Sequence, residues 1–125
     1  MMVKAYLLII AIGLVPVALS YGANPTGVLP RLLKFDVEVP NESQVFRALM
    51  CLYFATSVFW ILGAFWPDWQ HAALIWAAFF MLSLAFGRVL SIVLDGSPTA
   101  ALLNVYLALE IVAGVLALWL LRGAS

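Results

Sequence analysis

The sequence predicts an all-α fold: an integral membrane four-helix bundle with one longer extramembrane loop between helices 1 and 2. The chain has 125 residues, of which 66% are hydrophobic and 10% charged, and its mean hydropathy is +1.13. A soluble domain is typically about half apolar and about a quarter charged. Four segments have the roughly 20 mostly apolar residues that a membrane-crossing helix needs. One transmembrane domain over residues 1–125 is therefore expected.

The four predicted spans cover about residues 5–21, 46–66, 72–94 and 100–121. The first contains Pro16, which would kink a retained helix. It also resembles a secretory signal, because Lys4 precedes the apolar run and Ala18-Leu19-Ser20 offers a small-x-small cleavage site. The retained span is the favoured interpretation.

The second span has a helix start signal and a stop signal. Asn41 is predicted to cap it, with Gln44 three residues later in a capping-box arrangement. The span ends at Trp66-Pro67, because proline cannot continue a helix. The long connection before it combines a turn signal with a strand-like alternation over residues 34–39, so a short hairpin and an irregular loop both remain open.

The third and fourth spans follow short turns. Asp68 is predicted to cap the third helix, which stops at Asp95-Gly96, and Ser97 with Pro98 is predicted to start the fourth. Connections this short make consecutive helices antiparallel neighbours. Both termini then lie on one side of the membrane. The loop charges are tied, and the cytoplasmic side is chosen because Lys4 precedes the first span.

Two charged residues lie inside the predicted spans. Arg88 is about 9 Å deep and Glu110 about 15 Å deep, at a rise of about 1.5 Å per residue from the nearer helix end. Charged groups in hydrocarbon are costly and usually pair inside a bundle. Because the arginine side chain is long enough to span the difference in depth, a direct Arg88–Glu110 pair is predicted.

Helical spacing adds further polar residues to this pair. Ser91 and Asp95 follow Arg88 by three and seven residues and share its face, and Tyr106 lies one turn before Glu110. Two residues of the second helix would close the cluster, in a polar pocket that opens beneath the long loop. The predicted ligand-binding or structural cluster is Asn41, Arg47, Arg88, Ser91, Asp95, Tyr106 and Glu110.

Three interpretations of this cluster remain open. Buried ion pairs often fix helix register without performing chemistry. Alternatively, the two arginines hold an anionic or carbonyl group of a ligand, or the carboxylates transfer protons. Outside the cluster, Gly63, Gly87 and Gly114 are predicted to let neighbouring helix backbones approach closely.

No catalytic residue, metal site or cofactor is predicted. His71 and Cys51 are the only histidine and cysteine, and one of each cannot build a zinc or iron–sulfur site. Arginine neighbours favour ionised carboxylates, which argues against a poised general acid, so an enzyme is the less favoured interpretation. The formal net charge is zero and no basic run occurs, so nucleic acid is not an expected partner.

The polar residues also carry a family resemblance. Ser20-Tyr21-Gly22 closes the first helix, Phe46-Arg47-Ala48 follows Asn41, Gly87-Arg88 precedes Ser91, and Glu110 lies in the last helix. In this order and placement they make the chain resemble the bacterial domain-of-unknown-function family 4345, a set of short four-helix membrane proteins. More distantly, the chain is similar to the DoxX-like proteins. The resemblance implies a four-helix bundle in the bacterial inner membrane and supplies no activity.

The favoured function is that of a non-enzymatic membrane protein, either an accessory subunit or a bundle that binds a small amphipathic ligand. The expected partners are the lipid bilayer, a bound lipid or quinone, and a larger membrane complex or a second copy of the chain. The alternative is a small homodimeric transporter or proton-coupled carrier, because intramembrane carboxylates mark such pathways.

Overall fold

The computed structural model describes residues 2–22, 31, 41–98 and 100–124. Over these residues it contains four long helices: α1 (Met2–Gly22), α2 (Asn41–Phe65), α3 (Pro67–Asp95) and α4 (Ala101–Ala124). Each is long and apolar enough to cross a membrane. The predicted all-α fold is confirmed, and the chain is a multi-pass membrane protein. The hairpin and loop alternatives for the first connection lie outside the described residues.

The start of α3 differs from the prediction. Trp66 is extended, with φ −107° and ψ 109°, and forms the N-cap without a side-chain hydrogen bond, so that Pro67 opens the helix. Asp68 lies inside the first turn, and its predicted role as the cap was wrong. The physical reason is that the fixed φ of proline is already suited to the first helical position.

The start of α4 also differs. The helix begins at Ala101, so the prediction that Ser97 and Pro98 start it was wrong. Gly96 has φ 90° and ψ 174°, a region of backbone conformation that is essentially restricted to glycine. The chain therefore leaves α3 extended, and the Leu103 amide donates to the Ala100 carbonyl at 3.1 Å where α4 starts.

The α1–α2 interface is antiparallel and closely packed. Midway along both helices the Ser57 hydroxyl donates to the Ala11 carbonyl at 2.6 Å. At one end of the bundle the Lys4 ammonium lies 4.6 Å from the centroid of the Phe65 ring. Ala11 and Ala18 are fully buried, and small residues of this kind let membrane helices approach closely.

Two of the three glycines predicted to allow close approach do so. A Cβ atom at Gly63 would clash with Ala73, and one at Gly114 would lie 2.5 Å from the Leu82 side chain. These glycines bring α2 against α3 and α3 against α4. The prediction for Gly87 was wrong, because no atom of the described residues lies within 4 Å of the position its Cβ would take.

A narrow stripe of α4 faces the interior of the bundle. Its buried residues follow one another at spacings of four, four, three and three, which is the period of one helix face. Most of the other α4 side chains are exposed and apolar, as a helix surrounded by lipid requires. The buried stripe consists of Tyr106, Glu110, Gly114, Ala117 and Leu120. Two of its five members are therefore polar.

Candidate functional site

Arg88 and Glu110 form a two-pronged ion pair between α3 and α4. The Arg88 Nε atom donates to Glu110 Oε1 at 2.6 Å, and Nη2 donates to Oε2 at 3.2 Å. The side chains are 19% and 9% exposed. This fork-to-fork geometry is the strong form of an arginine–carboxylate contact. The predicted direct contact is confirmed, and a role of the pair in ligand binding stays a prediction.

Tyr21, in the last turn of α1, joins this pair to the other helices. Arg88 Nη2 also donates to the Tyr21 hydroxyl at 3.1 Å. The Tyr21 ring stacks on Phe46, with centroids 6.1 Å apart and planes at 8°. It meets the Tyr53 ring edge-on at 5.7 Å and the Tyr106 ring at 6.3 Å. Tyr21 thus contacts side chains from the three other helices.

Tyr106 lies beside the pair and binds α1 through its hydroxyl. The guanidinium carbon of Arg88 lies 5.5 Å from the centroid of the Tyr106 ring, within the range of a cation–π contact. The Tyr106 hydroxyl lies 3.0 Å from Ser20 Oγ. Because the single hydroxyl proton of Ser20 goes to the Val17 carbonyl at 2.6 Å, Tyr106 must be the donor in this contact.

A cavity of about 470 Å³ lies between α1 and α4, and we call it the α1–α4 groove. Ile9, Leu109 and Trp119 line it and are 70%, 59% and 54% exposed, so it opens sideways onto the lipid-facing surface. Most of its lining is apolar. Its oxygen-bearing side chains are Tyr6, Tyr106 and Glu110, so the carboxylate of the ion pair lies at its inner wall.

Tyr6 crosses the gap between the two helices. Its hydroxyl donates to the Ala113 carbonyl of α4 at 2.6 Å. Together with the contact between Ser20 and Tyr106, this hydrogen bond links α1 to α4 at two levels. Gly13 lies between those levels along α1 and lines the groove, and no atom in the described part of the chain lies within 4 Å of the position of an added Cβ. The middle of the groove is therefore open.

The structure brings Arg88, Tyr106 and Glu110 together and leaves four predicted site residues outside their cluster. Beyond the ion pair itself, Arg88 donates a hydrogen bond to Tyr21, which was not among the predicted site residues. The last buried residue of α3, all of which the structure describes, is Ala85, so no residue in the final turns of that helix is buried. The four exposed residues are Asn41, Arg47, Ser91 and Asp95. Their participation in a site stays a prediction.

The interpretation of the sequence did not include Tyr21, Tyr6 or Ser20 in the site. A tyrosine near the end of a span is typical of the interfacial aromatic belt, so Tyr21 gave no separate signal of a hydrogen bond to arginine. Its place in Ser20-Tyr21-Gly22, which the family resemblance uses, was the available hint. For Tyr6 the sequence offers only a polar tip inside an otherwise apolar run.

Comparison with known families decides the classification. The family model for a domain of unknown function, DUF4345, matches residues 2–121. The chain belongs to the DUF4345 family. The match includes every residue of the ion-pair cluster in this DUF4345 protein and nearly all of its four helices. No curated protein and no solved structure shows significant similarity to the chain. Membership of DUF4345 therefore brings no assigned activity.

Proposed function

We propose that this protein is a non-enzymatic membrane bundle that binds one small amphipathic ligand, a lipid or a quinone, in the α1–α4 groove. The observation that carries the proposal is the groove itself, an apolar cavity of about 470 Å³ with Glu110 and Tyr106 at its inner wall. Small-molecule sites are typically about 300–1,000 Å³, mostly apolar, with a few placed polar groups. The tail of the ligand would lie along the apolar walls, and its head would meet the two polar side chains.

The ion pair supports this proposal by positioning Glu110. Both carboxylate oxygens accept hydrogen bonds from Arg88, and these bonds fix the direction of the carboxylate. A carboxylate with about four lone-pair sites keeps acceptor capacity after two bonds. The same pair therefore holds α3 against α4 and presents a fixed oxygen edge to the groove, so the structural and the ligand-binding interpretations are compatible.

The proposal includes a location in the bacterial inner membrane with both termini cytoplasmic. It rests on the resemblance described above and on Lys4 at the start of the first span. A reporter enzyme that is active only in the cytoplasm, fused after Ser125, should be active. An inactive cytoplasmic reporter together with an active periplasmic one would reverse the orientation.

Ligand binding is tested with a variant whose new side chain fills the groove and leaves the packed core unchanged. Gly13→Leu places a side chain in the open middle of the groove, where an added Cβ meets nothing within 4 Å. Gly87→Leu is the matched control, because Gly87 is also a helical glycine whose added Cβ would meet no described atom within 4 Å, and it is not among the residues that line the groove. Each variant is released from lipid nanodiscs and analysed by native mass spectrometry.

Wild type and Gly87→Leu should retain one bound amphiphile under activation that removes loosely attached lipid, and Gly13→Leu should lose it. The mass of the adduct then begins to identify the ligand. If Gly13→Leu retains the same adduct as wild type, or if none of the three proteins carries one, the groove is not a ligand site. The search would then turn to protein partners, starting from the oligomeric state seen in the same spectra.

A further inference from the structure

Three oxygen-bearing side chains line the groove, and the first of them, Tyr6, has no free hydroxyl proton. Tyr6 donates its hydroxyl proton to the Ala113 carbonyl at 2.6 Å. A tyrosine hydroxyl has a single proton. The side of the Tyr6 oxygen that remains available can therefore only accept a hydrogen bond.

The second group, Tyr106, also has no free hydroxyl proton, and this follows from the hydrogen bond that Ser20 makes. The proton of Ser20 goes to the Val17 carbonyl at 2.6 Å, so Ser20 Oγ must accept the proton of Tyr106 across 3.0 Å. The Tyr106 oxygen keeps lone pairs and has no second proton to offer. Two separate hydrogen bonds between α1 and α4 thus engage the hydroxyl protons of both tyrosines that line the groove.

The third group, Glu110, is a carboxylate with its charge already matched. Arg88 donates to both of its oxygens, and among the described residues the guanidinium is not part of the groove lining. An ionised carboxylate only accepts hydrogen bonds. All three oxygen-bearing side chains that line the groove therefore present acceptors, and the positive charge of Arg88 is engaged by one of them, Glu110. The indole N–H of Trp119 is a donor, but Trp119 lies nine residues beyond Glu110 along α4, toward the other end of the groove.

We infer that the groove selects an uncharged amphiphile whose head group donates hydrogen bonds, the chemistry of a hydroxyl-bearing lipid or a quinol. This inference rests on the proposed function and narrows its ligand class. An uncharged hydroxyl head would donate to Glu110 or Tyr106 while its tail lies on the apolar walls. The selection follows from two features of the groove. The hydroxyl protons of Tyr6 and Tyr106 are already engaged in hydrogen bonds, and the Arg88–Glu110 pair has no net charge.

Other head groups leave unfavourable contacts in the same place. A carboxylate or phosphate head would bring negative charge and lone pairs against Glu110 and the hydroxyl oxygens, and such mismatches exclude wrong ligands. An ester or a quinone carbonyl has no proton to donate, so acceptors would face acceptors. An ammonium head has protons but would add an unbalanced charge in hydrocarbon beside the arginine.

The experiment compares three probes that share one tail: 1-tetradecanol, methyl myristate and myristic acid. Each is titrated against the full-length protein in nanodiscs, and native mass spectrometry counts the bound probe for wild type, Gly13→Leu and Tyr106→Phe. The alcohol should bind wild type about tenfold more tightly than the ester or the acid, as expected from one hydrogen bond made or lost. Gly13→Leu should bind none of the three.

Tyr106→Phe removes one acceptor and keeps the ring, so the preference for the alcohol over the ester should fall roughly threefold. Tyr53→Phe is the control, because Tyr53 is buried in the same aromatic cluster and does not line the groove, and it should keep the wild-type preference.

Binding of the ester or the acid as tightly as the alcohol, abolished by Gly13→Leu, would overturn this inference and leave the proposed function standing. Binding of no probe, or binding that Gly13→Leu does not change, would overturn both. A preference for the alcohol that Tyr53→Phe reduces as much as Tyr106→Phe does would also contradict the inference, because the groove oxygens would then not be its cause.

Discussion

Helix α1 meets its two neighbours in different ways. Toward α2 it presents Ala11 and Ala18, both fully buried, and the Ser57 hydroxyl reaches its backbone directly. Toward α4 it presents Tyr6, whose long side chain reaches the opposite carbonyl, with Gly13 facing open space. A short hydrogen-bonding side chain brings two backbones into contact, whereas a long one joins them and keeps them apart. Side-chain length therefore decides which interface closes and which becomes a groove.

The largest expected effect concerns the ion pair, which joins α3 to α4 and of which Glu110 lines the groove. Glu110→Gln leaves Arg88 buried without its counter-charge, and removal of one partner of a buried pair typically costs about 3–5 kcal/mol. Arg88→Gln should cost less, because a carboxylate can take up a proton whereas arginine cannot lose one. The double variant should be more stable than Glu110→Gln. Reversible unfolding in mixed micelles measures all three.

If the double variant is no more stable than Glu110→Gln, the two side chains act independently, and the pair does not close the α3–α4 interface. The control is Gln70→Ala, near the start of α3 and away from the cluster. It tests whether removing any polar side chain lowers the free energy of unfolding as much as Glu110→Gln does.

The second prediction compares two residues of α1 that lie two positions apart. Ala11→Leu forces a larger side chain into the closed α1–α2 interface and should lower the free energy of unfolding by about 1–3 kcal/mol. At Gly13 an added Cβ meets no atom of the described residues within 4 Å, and Gly13→Leu replaces a poor helix former, so its effect should be neutral or stabilising by up to about 1 kcal/mol. Equal losses at both positions would mean that the groove is as tightly packed as the α1–α2 interface.

The smallest expected effects come from the hydrogen bonds themselves. Ser57→Ala and Tyr6→Phe each remove one side-chain bond to a helix carbonyl. Such bonds between membrane helices average about 0.6 kcal/mol and reach about 1.7 kcal/mol. Both variants should therefore unfold within about 1 kcal/mol of wild type. If Tyr6→Phe lowers the free energy of unfolding by more than about 1.7 kcal/mol, this single contact holds α1 to α4 as firmly as packing holds α1 to α2.

The sequence predicts those features of the bundle that follow from depth and period along one helix. Charge and hydropathy locate Arg88 and Glu110 at depths whose difference the long arginine side chain can span, and the structure joins them. One helical turn links Tyr106 to Glu110, and both are buried. The same periodicity placed Ser91 on the face of Arg88, but Ser91 is exposed, because the buried stripe of α3 ends before it.

The groove could not be predicted in this way. Its existence depends on the distance between α1 and α4, which Tyr6 sets through a bond to a backbone carbonyl. A backbone carbonyl of α4 has no signature in the sequence, so neither the bond nor the gap beside it is visible in residue spacing. The role of Tyr21 is hidden for a similar reason, because its contacts come from three different helices.

The helices differ in length, so a bilayer of one thickness cannot accommodate all of them with the same tilt. α1 has 21 residues and α3 has 29, which correspond to about 32 Å and about 44 Å of helix. A hydrocarbon layer of about 30 Å accommodates the first nearly upright, whereas the second must tilt or project. Arg88 is carried on the long helix and Glu110 on α4. The pair joins the long helix to α4, so any difference in tilt between these two helices has to be accommodated at this contact.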